Sequence, residues 1–127
     1  MHLSLRDNLP FVDVIITQAG KQIEIQNVLV DTGSGGTIFS ADKMEQIGIT
    51  PQIDDVLHHI YGVGGSEVVF MRRVEKIQVG EYIGLELEIE VGGLDYGFEL
   101  GGILGMDFLL ASGARIDIQQ LTIEFQS

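Results

Sequence analysis

Cysteine is absent from the 127 residues, so neither a disulfide nor a thiolate metal site is available. Basic side chains are scarce. Seven Lys and Arg stand against nineteen Asp and Glu, for a formal net charge of −12. Binding to phosphates needs a basic surface, so no nucleic-acid partner is expected. The acidity reads instead as solubility and self-repulsion, with a weak leaning toward basic ligands. No stretch approaches the ~18–20 consecutive apolar residues of a membrane-spanning helix. The N-terminus has no basic segment followed by an apolar one, so no signal peptide is visible. The default expectation is a cytoplasmic chain, unless it is a domain cut from a longer or anchored precursor. Internal repeats, linkers and low-complexity segments are missing too, and a single domain over residues 1–127 is expected.

What is present points to a β-rich fold. Hydrophobic residues make up 45% of the chain, enough for a packed core. The 17 glycines fall between short apolar runs, where they read as turns. Residues 1–8 look like a loose lead-in. Phe11–Thr17 and Gln22–Asp31 read as two strands of a hairpin turning at residues 18–21. Gly33-Ser34-Gly35-Gly36 imposes an irregular loop before extended structure resumes at Thr37–Phe39. Ser40 is placed to cap a short helix over residues 41–47, stopped by Gly48.

Val56–Ile60 and Glu67–Arg72 flank a glycine-rich tip, Tyr61-Gly62-Val63-Gly64-Gly65-Ser66, which is expected to be mobile. Val74–Val79 follows as a strand. Leu85–Val91 alternates strictly, which predicts one buried face and a solvated face of Glu86, Glu88 and Glu90. A loop follows at Gly92–Gly97. Met106–Ser112 suits a short helix closed by Gly113. Arg115–Ile118 and Leu121–Phe125 suit a last hairpin.

One residue stands out against this scaffold. Val28-Leu29-Val30 leads directly into Asp31-Thr32-Gly33-Ser34. An apolar strand therefore delivers a carboxylate to its own end, and burying an unpaired acid is costly. Taken alone, Asp31 also fits an aspartate that caps its own turn. Hydrolysis of a peptide bond needs more than one such group: a base to activate water and an acid to protonate the substrate. Two carboxyls sharing one proton fill both roles, because like charges ~3 Å apart cannot both ionise. Asp-Thr-Gly occurs once here, so the second acid would have to come from a two-fold related copy.

Leu29-Val30-Asp31-Thr32-Gly33-Ser34, followed by Ile103-Leu104-Gly105-Met106-Asp107-Phe108-Leu109, resembles the retropepsin-like aspartic proteases, the single-domain homodimeric relatives of pepsin. The order of hairpin, Asp-Thr-Gly loop, short helix, glycine-rich flap and aliphatic-aliphatic-Gly is similar over nearly the whole chain. The resemblance implies an all-β closed acid-protease barrel with one or two short helices, acting as a homodimer on peptide or protein substrates without a cofactor. It implies that Asp31 is the catalytic aspartate and that Thr32 reaches across the two-fold axis. Gly33 would leave room for substrate backbone, and the Ser34 hydroxyl would support the carboxylate from behind. Ordinary turn hydrogen bonding is the alternative for Thr32 and Ser34. Gly33, Gly35, Ile38 and Ile103 would contact substrate from below. The flap would do so from above with Tyr61, Val63, Gly64 and Gly65. Leu104 and Gly105 would pack behind the loop.

Viral members commonly pair an acid after the motif with an arginine after the later glycine. Gly35 and Met106 stand at those places, so the chain looks closer to cellular and bacterial members. Leu121–Phe125 is the expected interface strand. An acidic optimum and apolar subsites are expected. A dimeric module that binds a peptide or small apolar ligand under its flaps without cutting it is the main rival. A purely structural dimerisation domain is the other.

The remaining candidates carry less. Gly62–Gly65 is not followed by the Lys-Ser/Thr of a phosphate loop. His58 and His59 are adjacent and would point to opposite sides of a strand, a poor metal pair, so no metal site is expected. Asp107 is expected to cap or orient the second helix. Asp54-Asp55 is expected to be solvated, with Arg72-Arg73 offsetting part of the acidity.

Overall fold

The computed structural model describes the chain except residues 63, 64, 95–98 and 127, and gives the backbone alone at 59–62 and 65–67. The strands are β1 (Ser4–Arg6), β2 (Leu9–Gln18), β3 (Lys21–Val30), β4 (Ile38–Ser40), β5 (Leu57–Gly62), β6 (Gly65–Val79), β7 (Tyr82–Gly92), β8 (Gly102–Leu104), β9 (Arg115–Asp117) and β10 (Thr122–Glu124). Two short helices interrupt them, α1 (Ala41–Glu45) and α2 (Met106–Ala111). The main sheet runs β1-β2-β3-β8-β4-β7-β6-β5, and β2 also pairs with β6. That extra pairing closes β2, β3, β8, β4, β7 and β6 into a six-stranded barrel. The expected all-β closed barrel with two short helices is what forms.

Local chemistry explains the strand breaks. The β2–β3 turn has positive φ at Ala19 and at Gly20, the combination that matches the twist of a tight hairpin. Within that hairpin the register shifts between Val12 and Val14, opposite Asn27. Asn27 takes φ 61°, a conformation asparagine tolerates, and its carbonyl accepts the Gly101 N–H at 2.9 Å. The bulge thus docks the chain leading into β8 onto β3.

Inside the barrel, Val14, Ile16, Ile25, Val28, Phe39, Val74, Ile77, Ile89, Val91 and Leu104 form the main core. Phe11, Ile38, Val69, Leu100 and Ile103 form a second cluster, with Leu29 and Leu94 packed against it. Alternation divides single strands between the two: Val28 and Val30 face the first, Leu29 the second.

Several expectations are corrected. The first eight residues are structured: β1 pairs with β2, Leu3 is buried, and the Leu3 N–H donates to Leu121 O at 2.8 Å. The two expected strands Glu67–Arg72 and Val74–Val79 are one continuous strand, β6. Ser40 precedes α1 without a side-chain capping bond, and its N–H donates instead to Gly101 O at 2.9 Å. The alternation of Leu85–Val91 holds from Glu86 onward, with Leu87, Ile89 and Val91 inward and Glu86 and Glu88 exposed, but fails at its start. Glu86 adopts φ 53°, Leu85 is exposed, and Glu90 is half-buried rather than solvated. Asp55 is not solvated either. Its side chain is 7% exposed and lies 2.8 Å from the Arg72 guanidinium.

The last hairpin forms as expected from β9 and β10. β10 also meets the N-terminus of its own chain: His2 bridges Thr122, and the Ile123 N–H donates to Met1 O at 2.9 Å. The loop expected at Gly92–Gly97 lies partly outside the described residues.

Candidate active site

Asp31 stands where β3 ends. Its N–H donates to Leu104 O at 3.0 Å, so the parallel pairing of β3 with β8 runs on to the acid itself. The Asp31 side chain is half-buried, and its Oδ1 accepts the Gly33 N–H at 2.8 Å. This is the short turn that an aspartate makes with the backbone two residues on. A Cβ on Gly33 would stand 3.2 Å from the same oxygen, so glycine there keeps the carboxylate uncrowded. Thr32 and Gly33 are exposed, presented outward by the loop.

The Ser34 hydroxyl donates to Gly36 O at 2.9 Å, which is the turn arrangement rather than a bond to the Asp31 carboxylate. Gly35 is exposed, and its carbonyl accepts the Asp107 N–H at 3.2 Å. Ile38 and Ile103 are both buried in the second cluster, on paired positions of β4 and β8. Tyr61 and Gly65 belong to the β5–β6 hairpin, whose ladder runs to Tyr61↔Ser66 and Gly62↔Gly65. Val63 and Gly64 lie outside the described residues. The structure therefore brings Asp31, Thr32, Gly33, Ser34 and Gly35 into one loop, with Ile38 and Ile103 beside it.

Local sequence did not point to Thr37, which completes the loop's support. Thr37 is 2% exposed. Its hydroxyl donates to Asp107 Oδ1 at 2.7 Å and accepts the Gly105 N–H at 3.0 Å. Its own N–H reaches Asp107 Oδ2 at 3.3 Å. Asp107 Oδ1 also accepts the Phe108 N–H at 2.7 Å, so the carboxylate orients the start of α2. The only signal in the sequence was Asp107 in the first turn of a short helix. Thr37 and Asp107 thus brace the two loops where Gly35 and Met106 offer no ion pair.

Gly105 completes the brace by having no side chain. A Cβ there would run into the Gly36 carbonyl and stand 2.8 Å from Ser34 O. The close approach lets the Met106 N–H donate to Ser34 O at 2.7 Å. Two crossing segments, residues 31–37 and 104–108, therefore lock one another.

Glu90 adds a second acid near this loop. Burial raises its carboxyl above the usual range; the charge of His58 pulls it down, and that of Asp107 pushes it up. A cavity of about 730 Å³ is lined by Met1, Tyr82, Ile83, Arg115 and Phe125, and it includes none of the Asp31 loop. Among the described residues no group of three or more metal-ligating side chains is found, and no helix is long and apolar enough to cross a membrane.

A closed six-stranded barrel, with an Asp-Thr-Gly loop crossed by an Ile-Leu-Gly segment, defines the retropepsin-like aspartic protease class. The chain belongs to the family described as gag-polyprotein putative aspartyl protease, whose family model matches residues 17–111. No curated protein matches the chain.

Proposed function

We propose that the chain is an aspartic endopeptidase that works as a homodimer, with Asp31 of each copy forming the catalytic pair. The observation that carries this reading is the placement of Asp31. It is a half-buried carboxylate at the end of a barrel strand, with Oδ1 held by the Gly33 N–H and the loop turned outward. One chain contributes one such acid, and a two-fold axis beside the loop would bring a second to it.

In the mechanism, the two carboxyls share a proton. The ionised one takes a proton from water, the water oxygen attacks the scissile carbonyl, and the protonated one donates toward the carbonyl oxygen. The amine leaves with a proton returned from the pair, and no covalent intermediate forms. Gly33 and Gly35 give substrate backbone room to approach. Ile38 and Ile103 supply apolar walls. Tyr61, Val63, Gly64 and Gly65 close over the peptide from the flap, adding backbone hydrogen bonds and excluding water. Thr32 ties the two loops together across the axis, and Ser34 stiffens the loop from within.

Cleavage of a peptide library tests the reading, with Asp31→Asn as control. The amide still accepts the Gly33 N–H, so the fold is retained while kcat falls by about 10³-fold. Cleavage that survives this substitution overturns the assignment of Asp31. A chain that sediments as a monomer while cutting peptide overturns the paired mechanism.

A further inference from the structure

The Asp31 loop and Glu90 share one face of the sheet. Directly paired residues on neighbouring strands point the same way. The register pairs Leu29 with Ile103, Ile103 with Ile38, Ile38 with Glu90, and Glu90 with Met71. Leu29, Ile103 and Ile38 pack in the second cluster, outside the main core. Asp31 lies two residues beyond Leu29, and its N–H continues the β3–β8 pairing, so alternation places it on this same face. A row of apolar side chains thus begins beside the acid and ends at a carboxylate.

Glu90 is held against the loop at that end. Its N–H donates to Thr37 O at 2.9 Å. Its Oε1 stands 2.9 Å from where a Cβ on Gly36 would be, so the carboxyl occupies the space that glycine leaves. Neither ion pair among the described residues uses it. The charges that act on it are His58 from β5 and Asp107 from α2. Asp107 is already engaged by Thr37 and by the Phe108 N–H. Arg72, on the neighbouring strand, is engaged by Asp55. Among the described residues Glu90 is therefore a half-buried acid outside any ion pair, with the His58 charge acting on it, beside the loop that would carry substrate.

We propose that Glu90 is a specificity-determining residue, receiving a Lys or Arg side chain of an extended peptide whose scissile bond lies at Asp31. The inference rests on the protease reading and adds a substrate class to it. Once ionised, a partly desolvated carboxylate attracts a cation more strongly than one in bulk water, and the arriving cation itself favours ionisation. Glu90 meets the loop at Gly36 rather than at Asp31, so the basic residue flanks the scissile bond, at the position the peptide series identifies.

Fluorescent peptides with an apolar centre test this, each carrying one Lys, Gln or Glu moved outward a residue at a time. Binding is read by anisotropy and cleavage by kcat/KM, on the intact protein. At one position Lys is expected to outperform Gln by roughly tenfold, an advantage lost in Glu90→Gln. In Glu90→Lys the preference is expected to move to Glu. A preference for Lys that persists in Glu90→Gln, or no preference at any position, overturns the inference. Peptides bound with this preference but not cut leave it standing and overturn the hydrolytic reading. Absence of any binding overturns both.

Discussion

Thr37 and Asp107 lie seventy residues apart and meet through two hydrogen bonds, hydroxyl to Oδ1 at 2.7 Å and N–H to Oδ2 at 3.3 Å. The Thr37 hydroxyl is buried and has both of its roles filled, donating to Asp107 and accepting from Gly105. Thr37→Val keeps the shape and strands both partners. It is expected to cost roughly 2 kcal/mol in urea unfolding and to lower peptidase activity through the loosened loop. Thr37→Ser, which restores the hydroxyl, should recover most of both. An unchanged urea midpoint in Thr37→Val would show that the brace carries no stability.

Gly105 is a position of close approach rather than of unusual φ, since its φ is −93°. Gly105→Ala places a methyl against the backbone of residues 34 and 36, which cannot yield as a flexible side chain would. The expected cost is about 3 kcal/mol or more, or failure to fold. A Gly105→Ala protein with parent-like melting would contradict the packing of the two crossing segments.

Leu3 is buried against the barrel, its N–H donates to Leu121 O, and the preceding His2 bridges Thr122 of β10. Leu3→Ala is expected to cost about 2–5 kcal/mol, the range for a buried leucine truncated to alanine. The thermal midpoint gives the answer. A change within the error of the measurement would mean that the N-terminal segment is dispensable.

Two acids give opposite pH signatures. Desolvation pushes the Asp55 carboxyl up, but hydrogen bonds from Arg72 and from the Gln52 N–H, together with the Arg72 charge, hold it below its ordinary 3.8. The stability it supplies is present above that ordinary value and is lost as pH falls through the lower folded value. Asp55→Asn should therefore flatten the acid limb of the stability profile. Glu90 is shifted upward, mainly by burial. Its folded form holds the proton longer, so it withdraws stability as pH rises from its ordinary 4.5 toward the folded value. Glu90→Gln should gain on the parent protein across that rise. Urea midpoints measured from acid to neutral pH check both, and parallel profiles would refute the assignments.

The features legible in the sequence were those written locally. The β2–β3 hairpin, the Asp31 loop and the helix after Gly105 each announce themselves by alternation, by a hydroxyl and glycine after an aliphatic run, or by flanking glycines. What escaped was written across the chain. Nothing near Thr37 shows that Asp107 will face it, and nothing near Asp55 shows that Arg72 will reach it at 2.8 Å. Only the start of Leu85–Val91 departs from its alternation, and for a different reason. Strict alternation assumes an unbroken pleat, and the φ of 53° at Glu86 turns the chain over between Leu85 and Leu87. Alternation alone puts Glu90 on a solvated outer face. That face is outside the main core, but it is also the face that carries the second cluster and Asp31.

The bond from the Asp31 N–H to Leu104 O has a consequence in time as well as in space. β3 is made early in synthesis, yet its partner on that side, β8, arrives some seventy residues later. Contacts so distant in sequence form slowly, after the intervening hairpins have drawn the chain together. A nascent chain that stops short of Gly102 holds the acid and five of the barrel's six strands but lacks the Leu104 carbonyl and the Gly105 contact that fix the loop's course. If the proposed peptidase reading holds, competence to cut waits for β8 and Gly105, and a shorter fragment carries the motif without its support.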